Sequence, residues 1–299
     1  MVIKIEDLLI EKRRQKETTA HKIVFKGTNG KDVYNITAPF ELGEKLLLVG
    51  RIESRNSEIS KVGLFENTSD DEWSLSPNSI SLKLQDPFVT MIDGQVILGG
   101  VHVDFFDDEH VEWRTDLYQL DSVTRASKIF EGPKGMKDLR LKQLPDGRIL
   151  VLTRPQGKKG GRGRIGFVVV KNLLALTREK IENAPLLKNQ FIDDEWYGSN
   201  EIHLFENKIF VLSHIANFDE TDNRHYYSMI FELSSDFTEI LNPKIIAERK
   251  DFLPSPAKRS DLEDVVFGGG LVLNDDKATL YAGISDAGAQ TLIINNPMK

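Results

Sequence analysis

One pattern recurs five times along the chain: a Gly, Asn or Asp turn, then four or five mostly apolar residues, then a polar residue. The copies begin at Gly43 (GEKLLLVGR), Gly94 (GQVILGGVH), Gly147 (GRILVLTR), Asn207 (NKIFVLSH) and Asp276 (DKATLYAGIS). Each follows another strand-like run, which predicts a β-hairpin. The turns are 51, 53, 60 and 69 residues apart, a period typical of four-stranded propeller blades. We therefore predict an all-β protein, a five-bladed β-propeller.

Outside the hairpins, helical periodicity is confined to two short segments. The first lies in residues 1–25, which we interpret as an N-terminal extension with room for a short helix, and the second spans residues 172–183. A β-sandwich would also supply many short strands, but it would not require a repeat at this period. We therefore expect residues 1–299 to form one propeller domain.

The composition of the chain argues against several classes of function. The formal net charge of −7 disfavours a broad surface for nucleic acid or an anionic membrane, but it leaves room for a small basic pocket. The chain has no cysteine, which excludes disulfides, thiolate zinc sites and cysteine nucleophiles. The N-terminal sequence does not read as a signal peptide, and no run approaches the roughly 20 apolar residues of a membrane span. We expect a cytoplasmic protein with no nucleic-acid or membrane partner.

Polar residues stand at both ends of most hairpins. They are separated by 16 residues in three hairpins and by 14 in a fourth. The pairs are Asn35 and Arg51, Asp86 and His102, Asp138 and Arg154, and Asn200 and His214. Equivalent positions of propeller blades face one central channel, so we expect these side chains to meet there. Solvated hairpin ends are the alternative, but a repeated set favours a shared pocket, because polar groups in a narrow channel need partners or a ligand.

The segment LQDPFV at residues 84–89 resembles the start of the second blade in the five-bladed propeller glycosidases and mannoside phosphorylases of glycoside hydrolase family 130. Asp86 keeps the Asp-Pro pair of that motif, whereas Phe88 stands where the family usually has arginine. In the third blade, Arg154 keeps the end of a His-Arg-Pro motif, and Thr153 replaces its histidine.

Two further segments extend the resemblance over about residues 30–295. The segment SKVGL, which begins at Ser60, is similar to the family's first-blade Ser-Arg-x-Gly-Leu. The segment DLEDVVF, which begins at Asp261, is similar to Gly-Asp-Val-x-Asn-Val-Val-Phe, and Asp261 falls on the sugar-binding aspartate. The departures look closer to the mannosyltransferase/phosphorylase family, known as glycosyltransferase family 108 or domain of unknown function 1861. That family makes and phosphorolyses β-1,2-mannose chains on the same propeller.

This resemblance implies an inverting β-1,2-mannoside phosphorylase or mannosyltransferase, which moves mannose between a β-mannooligosaccharide and phosphate. Asp86 is then the general acid, and the general base in the reverse direction, although Asp-Pro pairs are also common in turns. A general acid must keep its proton near neutral pH, which partial burial favours. The sugar-binding set is Asn35, Arg51, Ser60, His102, Asp138, Trp196 and Asp261.

A phosphorylase also needs cations that hold phosphate. Arg154 is the leading anchor, because a guanidinium grips two oxygens at once. The family's phosphorylases usually carry a phosphate-contacting lysine before the fourth-blade strand, and residues 195–203 contain none. The predicted phosphate-binding set is therefore Arg154, Tyr197, Asn200, His203 and His214. A glycine-rich loop either closes over phosphate or a sugar-nucleotide diphosphate, or is simply solvated, and its basic residues are Lys158, Lys159, Arg162 and Arg164.

Two other functions stay open. An inverting hydrolase of the same fold would use Asp138, Glu201 or Glu263 as the base, and a non-catalytic propeller would bind carbohydrate without turnover. We predict no cofactor, with phosphate or mannose 1-phosphate as co-substrate and a sugar nucleotide as an alternative donor. We also predict no metal, because His102 and Asp104 alone do not make a site. No clear coiled coil indicates an oligomeric state.

Overall fold

The computed structural model describes residues 4–13, 18–106 and 111–299. These residues are mostly β, and their strands form four hydrogen-bonded sheets with three short α-helices beside them. No helix in these ranges is long and apolar enough to cross a membrane. The mostly β architecture agrees with the fold class predicted from the repeat, while the number of blades stays a prediction at this point.

The N-terminal segment packs against later parts of the chain. Helix α1 (Ile5–Lys12) buries Leu8 and Leu9 on one face, as the helical period requires. Strand β1 (Thr19–Lys22) pairs antiparallel with residues 290–293. The two ends of the chain therefore share one sheet.

The first strand group forms the six-stranded sheet. Its strands are β2 (Val24–Lys26), β3 (Asp32–Tyr34), β4 (Phe40–Leu42), β5 (Lys45–Glu53), β6 (Ser60–Ser69) and β7 (Glu72–Leu75). They lie in the order β2-β7-β6-β5-β3, and β4 also pairs with β5. Strands β3 and β4 thus share the innermost position of this group.

The second and third groups are separate antiparallel sheets, each paired in chain order. The second contains β8 (Gln85–Ile92), β9 (Gln95–Phe105), β10 (Val111–Ser122) and β11 (Arg125–Glu131). The third contains β12 (Arg140–Gln143), β13 (Ile149–Thr153) and β14 (Gly166–Val170), with helix α2 (Gly157–Gly160) in the loop before β14. A 3₁₀ turn (Leu173–Ala175) and helix α3 (Arg178–Asn183) follow, so the helix predicted in residues 172–183 is present over its second half.

The eight-stranded sheet consists of two groups. The fourth contains β15 (Trp196–Phe205), β16 (Lys208–Phe218), β17 (Arg224–Leu233) and β18 (Ile240–Ala247). After two 3₁₀ turns (Arg249–Asp251 and Ser260–Leu262), the fifth contains β19 (Asp264–Asn274), β20 (Lys277–Ile284), β21 (Gly288–Asn295) and β1. The two groups meet in a short parallel pairing, His225 with Asp264 and Tyr226 with Val265.

Each of the five predicted turns connects an inner strand, β4 in the first group, with the strand that pairs with it. The chain takes a positive φ at Gly43 (64°), Gly94 (73°), Gly147 (86°) and Asn207 (63°), and in the fifth turn at Asp275 (51°), one residue before the predicted Asp276. Gly, Asn and Asp tolerate this left-handed conformation better than other residues. The turn chemistry therefore explains why the repeat begins with these residue types, and the predicted hairpins are present.

Hydrophobic clusters join neighbouring strand groups. Within the described residues there are five such clusters, and the last of them joins the fifth group back to the first. Members from the two sides are Leu47 with Leu98, Phe88 with Leu141, Leu150 with Val211, Leu212 with Leu280, and Leu48 with Ala289. The inner strands contact one another in the same order. They therefore surround a shared central region.

Candidate active site

A cavity of about 510 Å³ opens where the inner strands begin, and we call it the main cavity. Residues from every strand group line it, and most of them are polar. Those that carry the argument below are Asn35, Arg51, Asp86, Lys137, Asp138, His214, Tyr226 and Asp286. Five of the eight predicted hairpin-end residues therefore line this cavity, and the other three, His102, Arg154 and Asn200, do not.

The backbone at three of these positions has the same conformation. Asn35, Asp86 and Asp138 have φ values of 45°, 47° and 59° at or near the start of their inner strands. Asn and Asp are the non-glycine residues that best accept this region. The turn interpretation of Asp86 and its position in a cavity are therefore compatible. Backbone strain of this kind clusters at functional sites.

Asp86 lies in the cavity with one carboxylate oxygen engaged. Asn35 Nδ2 donates to Asp86 Oδ1 at 2.7 Å, and Arg51 Nη1 donates to the same oxygen at 3.2 Å. No described residue bonds Oδ2. The side chain is 14% exposed and therefore partly buried, as the sequence analysis expects for Asp86. Its free oxygen remains available to a substrate.

Asp286 is a further carboxyl group in the cavity, and the sequence analysis missed it. Burial raises the pKa of Asp286 to about 6, where Arg51 opposes the shift and the Asp86 carboxylate adds to it. A carboxyl group with this pKa holds its proton in weak acid. The residue directly follows Ser285, which closes the fifth hairpin, and a search one position further would have found it. We call Arg51, Asp86 and Asp286 the carboxylate side.

Arg51 is fixed by a buried ion network. Its Nε and Nη2 donate to Glu53 Oε2 at 3.2 and 2.7 Å, and Tyr34 donates to Glu53 Oε1 at 2.7 Å. Lys258 also pairs with Glu53. Burial would lower the pKa of Arg51, but Asp86, Tyr34 and Glu53 raise it overall. The Arg51 charge is therefore permanent and is largely neutralised by neighbouring carboxylates.

Arg154 lies behind Asp138 rather than in the cavity wall. Its Nε donates to the Tyr197 carbonyl at 2.7 Å and stands 3.4 Å from Asp138 Oδ2. Its Nη2 donates to the Arg162 carbonyl at 3.4 Å. Nη1 is buried with no partner among the described residues. An unpaired buried donor costs stability, so this position favours an anion or a water molecule.

The neighbours of Arg154 leave the region positive. Burial would raise the pKa of Asp138, but Arg154, Lys137 and His214 lower it to about 2. Burial lowers the pKa of His214 to about 3, so the ring is neutral at neutral pH. Its Nδ1 lies 2.8 Å from Asn200 Oδ1. We call Lys137, Asp138, Arg154 and His214 the cationic side, because two cations there face one carboxylate.

Asp261 lies at the rim and binds two arginines that line the cavity. Arg224 Nη1 donates to it at 2.6 Å and Arg259 Nε at 3.0 Å. Trp196 is buried and donates its indole N–H to the Tyr226 hydroxyl at 2.9 Å, so it supports a cavity residue without lining the cavity. The segments that supply the two arginines and Tyr226 lie outside the repeated pattern, which is why the sequence analysis missed them.

Ser60 and His102 lie in an adjacent cavity of about 280 Å³, which we call the side cavity. His102 Nε2 stands 2.9 Å from Asp104 Oδ1 there. Gln85 lines both the side cavity and the main cavity. These two predicted sugar-binding residues are therefore next to the main cavity and not in it.

Besides Arg154, three predicted phosphate-binding side chains do not line the main cavity. Tyr197 is buried in a core cluster and donates to Gln190, and its backbone carbonyl holds Arg154. Asn200 lines a third cavity of about 170 Å³ further along the inner strands, which we call the rear cavity. His203 stands 2.8 Å from Glu201, another residue of that cavity. Successive residues of a strand face opposite sides, so one strand cannot present all of them to one cavity.

The basic loop packs onto Arg154. Arg162 lies over the rings of Trp196 and Phe218, at 5.6 and 5.1 Å from their centroids. A side chain at Gly163 would place its Cβ 2.4 Å from Arg154 Nη2, so only glycine fits this approach. Within the described residues, no group of three His, Asp or Glu side chains is arranged to hold a metal.

Comparison with known proteins identifies the family of this chain. The model of the family described as "Protein of unknown function (DUF1861)" matches residues 10–299. No curated protein sequence matches the chain.

Solved structures resemble it over nearly their whole length. MPT-4, a mannose phosphorylase from Leishmania mexicana in complex with phosphate ion, is 31% identical with a TM-score of 0.90, and the match covers 98% of this chain and 93% of that one. MPT-1, a GDP-Man-dependent mannosyltransferase from the same organism, is 30% identical with a TM-score of 0.89, at 99% and 95% coverage. A β-1,2-mannobiose phosphorylase from Listeria innocua shares the fold, at 15% identity, a TM-score of 0.64, and 95% and 93% coverage.

Proposed function

The chain belongs to the family described as protein of unknown function DUF1861, and on that premise we propose that it is an inverting β-1,2-mannoside phosphorylase or mannosyltransferase. The mannose phosphorylase and the mannosyltransferase that it resembles support a carbohydrate-active enzyme. The observation that carries the proposal is the main cavity, where the carboxyl groups of Asp86 and Asp286 and the basic side chains of Arg51 and Lys137 line one pocket.

The five strand groups are, in this proposal, the five blades of one propeller. Two observations support the ring. Five hydrophobic clusters join the groups in order and return from the fifth to the first. The main and rear cavities also follow the same inner strands: Asp86 and Asp138 line the first, and Thr90 and Lys142, four residues further along each strand, line the second.

The reaction divides between the two sides of the cavity. A phosphate oxygen attacks the anomeric carbon from the cationic side, and the bond from that carbon to the leaving oxygen breaks on the carboxylate side. Asp86 donates a proton to the leaving oxygen, directly or through a sugar hydroxyl, and the products are α-mannose 1-phosphate and a shortened mannoside. In synthesis, Asp86 removes the proton from the acceptor hydroxyl.

The mannose that is transferred lies between the two sides. Asn35 and Arg51 fix Asp86 and remain close enough to contact the sugar, and Asp261 contributes from the rim through Arg224 and Arg259. The proposal needs no cofactor or metal. Phosphate, or mannose 1-phosphate in synthesis, is the co-substrate, and GDP-mannose is a second donor to test because MPT-1 depends on it.

A hydrolase would require a carboxylate that activates water. Among the candidates for this role, Glu201 lies in the rear cavity, Glu263 is exposed outside the main cavity, and Asp138 has a pKa of about 2. A base with so low a pKa accepts protons poorly near neutral pH. Asp286 has a pKa of about 6 but lies on the carboxylate side with Asp86, whereas the base of an inverting hydrolase activates water on the opposite face of the sugar. Phosphate, which is already anionic, needs no such base, and this favours the phosphorylase over the hydrolase.

The decisive assay is turnover of β-1,2-mannobiose with and without phosphate. We expect mannose 1-phosphate to form only when phosphate is present, in proportion to the mannose released. A parallel reaction with GDP-mannose and a mannose acceptor tests the transferase. Release of free mannose at the same rate without phosphate would reject the phosphorylase in favour of the hydrolase. Mannobiose binding with no turnover under any condition would favour the carbohydrate-binding propeller.

A further inference from the structure

The side cavity adjoins the main cavity on its carboxylate side. Gln85, the neighbour of Asp86 in the chain, lines both cavities, and its Nε2 donates to the Glu58 carbonyl at 3.1 Å. Glu58 lines the main cavity, and the next two residues, Ile59 and Ser60, line the side cavity. The contact between Gln85 and this segment therefore lies at the boundary where the two cavities adjoin.

The geometry of an inverting displacement indicates on which side of the main cavity the departing sugar lies. An inverting reaction places the nucleophile and the leaving group on opposite faces of the sugar ring. When phosphate is held on the cationic side, the leaving oxygen points towards Asp86. The sugar that departs with this oxygen must extend away from the cationic side. Gln85 and the side cavity lie in that direction.

The chemistry of the side cavity suits a neutral sugar. Ser60, His102 and Asp104 supply hydroxyl, imidazole and carboxylate groups, and Phe105 supplies an apolar face that is 46% exposed. A sugar ring has polar edges and an apolar face, so it matches this mixture. The volume of about 280 Å³ is close to the lower end of small-ligand pockets, at about 300 Å³.

We propose that the side cavity binds the leaving chain of the mannoside, and the acceptor chain in synthesis. The proposal rests on the function proposed above and names the part of the substrate that the side cavity takes: uncharged mannose residues on the far side of the bond that breaks. It makes the side cavity a determinant of which leaving group the enzyme accepts, separate from the residues that perform the chemistry.

The test compares substrates with and without a sugar as the leaving group. Phe105→Ala removes the apolar face, Ser60→Phe fills the cavity, and Ile129→Ala is the control, because Ile129 is 40% exposed on the same sheet outside the side cavity. We expect both side-cavity variants to raise KM for β-1,2-mannobiose and β-1,2-mannotriose about fivefold. KM for phosphate, and kcat/KM for methyl β-mannoside, should not change. Equal effects on methyl β-mannoside and mannotriose, or no effect on either, would overturn the proposal.

A binding measurement separates this proposal from the proposed function. If the wild-type protein turns over no mannoside, the proposed function fails, and calorimetric titration with β-1,2-mannotriose then decides the side cavity alone. Weaker mannotriose binding by Phe105→Ala and Ser60→Phe, with unchanged binding by Ile129→Ala, supports the assignment. Unchanged binding by all three variants refutes it.

Discussion

The two sides of the main cavity come from equivalent parts of the repeat but are neutralised differently. On the carboxylate side, Arg51 pairs with Asp86 and with Glu53, two residues further along the chain. On the cationic side, Arg154 lies near one carboxylate, and the residue two positions further along is Gln156, which is neutral. Arg51 is thus paired with two acids, and Arg154 lies near one.

In the proposed mechanism, this difference lets one repeat supply two chemical functions. Equivalent hairpin positions give an acid and an arginine on both sides, so the repeat alone does not distinguish the proposed proton donor from the proposed anion site. The residue two positions after the arginine differs between them. Glu53 holds Arg51 beside Asp86, whereas the neutral Gln156 leaves the charge of Arg154 opposed by Asp138 alone.

Among these predictions, removal of the Asp86 carboxyl group should cause the largest loss of activity. Asp86→Asn keeps a residue type that accepts the left-handed backbone but cannot donate an acidic proton. We expect kcat/KM for phosphorolysis to fall about 10³-fold, with the melting temperature nearly unchanged. Calorimetry should show that mannobiose still binds. A variant that keeps wild-type activity would remove Asp86 from the mechanism.

Removal of Arg154 should break the cationic side and the fold around it. Arg154→Met leaves the buried Asp138 carboxylate without its guanidinium, which should cost about 3 kcal/mol of the free energy of unfolding. The double variant Arg154→Met/Asp138→Asn should recover part of that loss, because the unpaired charge is gone. Urea unfolding curves measure both values. A double variant no more stable than Arg154→Met would contradict the pairing.

A single exchange should make the cationic side resemble the carboxylate side. Gln156 and Arg154 donate to the same Arg162 carbonyl, at 3.0 and 3.4 Å, so Gln156→Glu places a carboxylate beside the guanidinium. We expect KM for phosphate to rise about tenfold, with KM for mannobiose unchanged. Gln95→Glu, an exposed exchange at a hairpin end, is the control. An equal change in both KM values would argue against a local charge effect.

The last expected effect concerns the pH dependence of stability and Asp286. Its pKa is higher in the folded protein than its ordinary value, so the folded state binds the proton more tightly, and stability falls as pH rises from about 4 to about 6. Asp286→Asn should therefore stabilise the protein at pH 7.5 by about 3 kcal/mol and leave it nearly unchanged at pH 4. Asp70→Asn, an exposed position, should show no such pH dependence. A constant difference between Asp286→Asn and wild type across this range would refute the assignment.

The sequence predicts the parts of the site that the repeat encodes. Asn35, Asp86 and Asp138 are recognisable because the backbone at these three positions, in the first, second and third groups, is left-handed and restricts the residue type. Their position in one cavity follows from the equivalence of the strand groups. The same reasoning correctly places Arg51 in the cavity. It also places Arg154 there, whereas the structure has Arg154 behind Asp138.

The rest of the site depends on information that the repeat does not contain. Asp286 follows the fifth hairpin by one residue, and Arg224 and Arg259 come from segments between hairpins. The side chains of Tyr197 and His203 do not line the main cavity, and a motif comparison does not register which face of a strand a residue occupies. Burial and charge in three dimensions, and not sequence spacing, decide these positions.

The anomeric form of the product tests the central claim most directly, namely that proton donor and phosphate act from opposite sides of one cavity. Proton NMR of the first product from β-1,2-mannobiose and phosphate would record it. Attack from the cationic side with departure on the carboxylate side predicts α-mannose 1-phosphate. Formation of β-mannose 1-phosphate would mean that both groups act on the same face of the sugar, which this arrangement of residues does not allow.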